Sequence, residues 1–190
     1  MTKTTYLTDK HKRGTVAKQS LHDGLCGFYC LVNAIRGWDR LNDAADPDAF
    51  RYLLEAADRL GLFKVEKIAK GYESHELVDI FNEFARAHRF PAKALHLQAA
   101  AEAFEGWTFA VQAKRIFDVG GQIVVSVDDG DHWVLAYDFK YDGDKKVNNL
   151  RILVEDANPS DRAVLDIGKG KIGEAGLILL PNSAPLKFAD

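Results

Sequence analysis

The hydrophobic period of this chain changes at Gly120-Gly121. Before that pair, apolar residues recur every three or four positions, the spacing of one helix face. After it they alternate or run in short blocks, the spacing of strands. A chain patterned in this way is expected to be α+β, with an N-terminal helical part packed on a C-terminal antiparallel sheet.

Helices are predicted over 26–37, 47–60 and 74–88. In the second, Pro47 suits the first turn, and Phe50, Leu53, Leu54, Ala57 and Leu60 repeat at helical spacing up to Gly61. In the third, Ser74 is the expected cap, and Leu77, Ile80, Phe81, Phe84 and Ala85 form the apolar face. Ala92 to Leu97 suits a short strand, while 99–104 and 107–117 fit either period, the latter with a helix leading into the glycine pair. Strands are predicted at 123–127, 132–139, 149–155 and 176–180. Asp142-Gly143-Asp144 is a hairpin turn between the second and third of these. Residues 1–18 are polar and expected to be a flexible N-terminal arm, leaving 19–190 as a single domain.

The chain has 190 residues, enough to bury a core without a metal or disulfide staple. Its net charge of -3 gives no reason to expect a nucleic-acid partner, and no apolar run reaches the length of a membrane span. No cofactor is expected, and the histidines show no metal-ligand spacing. The two cysteines, Cys26 and Cys30, stand one helical turn apart, a poor position for a staple. With no apolar signal segment at the N-terminus, the expected site is the cytoplasm; the alternative is an effector secreted without a signal peptide. Oligomeric state is left open.

Chemistry concentrates around Cys26. A thiol at a helix N-terminus meets unpaired N–H groups and the positive end of the helix dipole, which favour the thiolate. Gly27 leaves room for a substrate carbonyl, and Gln19 lies across a turn from which its amide can donate to an oxyanion. His132 heads a predicted strand and Asp156 closes the next one. Antiparallel pairing would bring those two ends together, so that Asp156 orients the imidazole while its other nitrogen faces the thiol. Asn158 is the alternative to Asp156. Cys30 is expected to be a core residue, and Trp133 either shields His132 or is strand core. Asp128, Asp129 and Asp131 are expected in a solvated turn.

The segments Cys26-Gly27-Phe28-Tyr29-Cys30-Leu31-Val32-Asn33, His132-Trp133-Val134-Leu135-Ala136 and Val154-Glu155-Asp156-Ala157-Asn158-Pro159, with Gln19 upstream, resemble the papain-like cysteine peptidases. The nearest likeness is to the bacteriocin-leader-processing peptidases, with some resemblance to Josephin-type deubiquitinases. The Gln19–Cys26 gap is one residue longer than in that family, and Ala157 stands where the leader peptidases place proline. The resemblance implies a papain-like fold, with Cys26 as nucleophile, His132 as base and acid, Asp156 as orienting group and Gln19 in the oxyanion hole. The implied activity is thiol hydrolysis of a peptide, isopeptide or side-chain amide in a protein or peptide substrate. Alternatives on the same fold are an acyltransferase, transglutaminase-like or protein-deamidating enzyme, or a non-catalytic binding module.

Overall fold

The computed structural model describes residues 5–6, 24–39, 48–97, 106–127, 132–141, 150–155, 164–166 and 172–183. In chain order the elements are β1 (Thr5–Tyr6), α1 (Cys26–Asp39), α2 (Ala49–Arg59), α3 (Val65–Lys70), α4 (Ser74–His88), β2 (Ala92–His96), α5 (Gly106–Asp118), β3 (Gln122–Val127), β4 (His132–Tyr141), β5 (Leu150–Glu155), β6 (Val164–Asp166) and β7 (Ile172–Pro181). The chain is α+β, as its change of period implies.

The strands form one antiparallel sheet in the order β2-β7-β3-β4-β5-β6, with β1 pairing against the far end of β4. The last strand is thus interior, inserted between the edge strand β2 and β3. Thr5 and Tyr6, inside the segment expected to be a loose arm, pair with Tyr141 and Lys140. The remainder of residues 1–18 lies outside the described residues, as does the turn at 142–144.

Strand alternation divides the core in two. Val124, Trp133, Leu135, Leu177 and Leu179 point to one face and pack with α1, α2 and α4. Ile123, Val125, Val127, Val134, Ala136, Ile152, Val154 and Leu180 point to the other, where Ala113, Ile116 and Phe117 of α5 cover them. The packing is therefore three layers, with helices on both faces. The expected packing of an N-terminal helical part on the sheet does not distinguish the sheet's two faces; α5 covers the second one between β2 and β3, which flank β7, a strand more than 70 residues beyond β2.

α1 is the most enclosed helix. Phe28, Cys30, Leu31, Val32, Ala34 and Ile35 are all buried. It runs past Gly37, where a stop was expected, because Trp38 has a use for the extra turn: its indole Nε1–H donates to the Gly120 carbonyl at 2.9 Å. One turn earlier, the buried Gln122 amide donates to the Ala34 carbonyl at 3.1 Å. These two bonds tie the C-terminal half of α1 to the start of β3. In α4, Glu73 rather than Ser74 occupies the N-cap, and its N–H is taken by the Glu76 carboxylate at 2.8 Å. Asn82 then closes α4 onto β2, accepting from the Ala94 N–H at 2.8 Å and donating to the Ala94 carbonyl at 3.0 Å. Leu60, expected on the buried face of α2, is exposed instead. No helix among the described residues is long and apolar enough to cross a membrane.

Candidate active site

Cys26 is the first residue of α1. The first bond of the helix runs from the Tyr29 N–H to the Leu25 carbonyl at 3.0 Å. The N–H groups of Cys26, Gly27 and Phe28 precede it and point out of the N-terminal end, as the first donors of any α-helix do. No acidic side chain lies in that first turn to compete for them. The approach to the helix is held by backbone. Gly24 N–H donates to the Ile68 carbonyl at 2.6 Å, and a Cβ on Gly24 would meet the Gly71 nitrogen at 2.6 Å. Only glycine allows the chain to pass α3 so closely before turning into α1.

Gly27 has a structural occupant. A Cβ there would lie 2.7 Å from Cδ1 of Leu77, a fully buried residue of α4. The absent side chain makes room for α4, and this accounts for the glycine without a substrate carbonyl. Cys30 is fully buried in the core and Cys26 is 6% exposed. Neither is part of a disulfide.

His132 is the first residue of β4 and is half-buried, paired with Val127 across β3. The anchors at Ala34 and Trp38 place the C-terminal half of α1 at the start of β3. From Ala34 back to Cys26 the helix covers about 12 Å, and β3 covers about 17 Å from Gln122 to Val127. α1 packs along β4, with Trp133 and Leu135 in its cluster. β5 arrives from the opposite direction and ends with Glu155 opposite Leu135. The antiparallel arrangement expected for these two strands is present. Within β4, however, His132 falls in the row of Val134 and Ala136, which face α5, whereas its neighbour Trp133 faces α1. Trp133 is buried core.

Gln19, Asp156 and Asn158 lie outside the described residues, as do the aspartates at 128, 129 and 131. Asn33, which shares a stripe with Cys26, is buried. Among the described residues no group of three or more histidine, cysteine, aspartate or glutamate side chains is arranged to hold a metal.

One wall beside the thiol was not foreseen. Residues 60–72 carry α3, and Tyr72 packs tilted against Phe28 of α1, with ring centroids 4.8 Å apart and planes inclined by 53°. The Tyr72 hydroxyl donates to the Leu62 carbonyl at 3.4 Å. Its pKa is raised, first by burial and then by the nearby Glu76 carboxylate. Burial works to raise the Glu76 pKa as well, but the bond from Lys67 at 2.8 Å and the Glu73 N–H outweigh it and hold the carboxyl below its ordinary value. Sequence reading missed α3 because Val65-Glu66-Lys67-Ile68-Ala69-Lys70 has no continuous apolar face, and none of its residues is fully buried. The one available signal was the pair Gly61 and Gly71, both at positive φ, which bracket the segment.

No protein-family model matches the chain, and no curated protein matches it as a relative.

Proposed function

We propose that this chain is a papain-like thiol hydrolase that cleaves a peptide, isopeptide or side-chain amide bond through an acyl-enzyme on Cys26. What supports the reading is the thiol at the head of α1, a helix whose other half is bonded to the start of β3 at Gly120 and Gln122, the strand whose far end, Val127, pairs with His132. Unpaired N–H groups at a helix start can donate to a developing oxyanion.

In the proposed cycle the Cys26 sulfur, its proton held by His132, attacks the substrate carbonyl carbon. The Cys26 N–H and the Gln19 amide donate to the oxyanion. Collapse of the tetrahedral species breaks the C–N bond, and the imidazolium passes its proton to the leaving amine. His132 then takes a proton from water, whose oxygen attacks the thioester, releasing a carboxylic acid and restoring the thiol. Asp156, or Asn158 in its place, orients the imidazole. Cysteines outside any disulfide suit a reducing compartment such as the cytoplasm.

Two features set what this cycle requires. Cys26 is nearly closed to solvent, so substrate must displace what covers it. His132 stands in the row facing α5, so its ring must reach the sulfur round the end of the sheet. The burial of Cys26 also favours a second reading, a non-catalytic α+β binding module in which this cysteine only packs.

Incubation with an unfolded protein substrate, followed by mass spectrometry, separates these readings. New chain termini that vanish in Cys26→Ala support hydrolysis. Amide-to-acid conversion without cleavage would indicate a deamidase, and cross-links a transferase. No Cys26-dependent change of any kind would leave the binding module.

A further inference from the structure

Three large apolar side chains stand exposed among the described residues, and all belong to one short segment: Leu60 at 42%, Phe63 at 43% and Val65 at 84%. They are interleaved with Arg59, Lys64, Lys67 and Lys70, against a single acid, Glu66, on a chain whose net charge is -3. Arg59 is paired with Glu83 and Lys67 with Glu76, each at 2.8 Å. Lys64 and Lys70 form no ion pair among the described residues. Apolar surface rimmed by uncommitted cations is an unusual thing for a protein to leave in water.

The segment is also rigidly joined to the start of α1. Ile68 accepts from Gly24, two residues before Cys26, and Tyr72 couples Leu62 to Phe28. Anything held on Phe63, Val65, Lys64 and Lys70 is therefore held at a fixed position relative to the thiol.

We infer that residues 60–70 dock an acidic, apolar-bearing peptide segment of the protein substrate, extending the site proposed above and resting on that reading. The charge sign selects glutamate or aspartate, and the exposed side chains take up the alternating apolar residues. A lipid surface fits less well, because polybasic membrane sites gather roughly four to eight free cations, and here two of the four are already neutralised by carboxylates.

The test is fluorescence anisotropy with the full chain and a labelled peptide of alternating glutamate and leucine. Controls are the same peptide with lysine for glutamate, the same with serine for leucine, and vesicles containing phosphatidylserine. The expected result is binding of the first peptide alone, weakened about tenfold or more by Lys64→Glu with Lys70→Glu, and likewise by Val65→Glu. These positions are exposed, so the variants retain the fold, and circular dichroism checks this. Cys26→Ser should bind as the parent does. Failure to bind, binding indifferent to these substitutions, or vesicle binding in place of peptide binding would each overturn the inference. Peptide binding by a chain with no Cys26 reactivity would keep the docking surface and remove the hydrolase.

Discussion

Replacing Gly27 with alanine tests whether that position is kept small for α4. The new Cβ would lie 2.7 and 3.0 Å from the two terminal carbons of Leu77 and 3.4 Å from its Cγ. Leu77 is fully buried, so its terminal carbons have no open space to move into. Overpacking of this kind costs about 1–3 kcal/mol. Alanine regains up to about 1 kcal/mol through helix propensity, less so near a helix start, which leaves a net loss of about 1–2 kcal/mol. For a chain of this length that lowers the melting temperature by roughly 2–8 °C. Leu77→Val removes the two carbons that clash. In that background Gly27→Ala should cost less than about 0.5 kcal/mol, giving a coupling near 1 kcal/mol in a double-mutant cycle. Urea unfolding followed by tryptophan fluorescence measures all four proteins. An equal cost in both backgrounds, or a Gly27→Ala protein as stable as the parent, would refute the packing account and return the glycine to the substrate.

Gln122→Ala removes the side-chain donor that the Ala34 carbonyl accepts in addition to its helix bond and should cost about 0.5–1.5 kcal/mol, with loss of protection at the C-terminal end of α1 in hydrogen exchange; unchanged stability would show that the bond does not anchor the helix. Glu76 titrates below its ordinary 4.5. Its ionised form thus adds stability above the unfolded value, and that contribution fades as pH falls through the lower folded value. Glu76→Gln should therefore flatten the acid limb of the stability profile below about pH 4.5 while lowering stability at pH 7, and parallel parent and variant profiles would contradict this.

The parts of this fold that rest on local patterning were legible in the sequence. α4 was bounded correctly because its apolar face is continuous from Leu77 to Ala85, and β3, β4 and β5 were placed to within two residues because short apolar runs end near turn residues. Thr5–Tyr6 and Val164–Asp166 were not, because strands of two or three residues acquire their identity from the neighbour they pair with. The same reason hid the interior place of β7. At the candidate site, the expected helix over 26–37 already placed Cys26 at a helix start, and α1 begins there. Gly27 was misattributed because sequence alone cannot distinguish a gap kept for a ligand from one filled by a distant leucine. The row occupied by His132 depends on register with β3, which no local pattern specifies.

In the proposed hydrolase, Cys26 is a reactive thiol and not a packing residue. Alkylation by iodoacetamide of the folded chain, followed residue by residue with mass spectrometry, tests it most directly. The account predicts that Cys26 is modified while the fully buried Cys30 is not, and that His132→Ala slows the modification about tenfold or more with the fold intact. Cys26 reacting no faster than Cys30, or reacting at the same rate without His132, would contradict it.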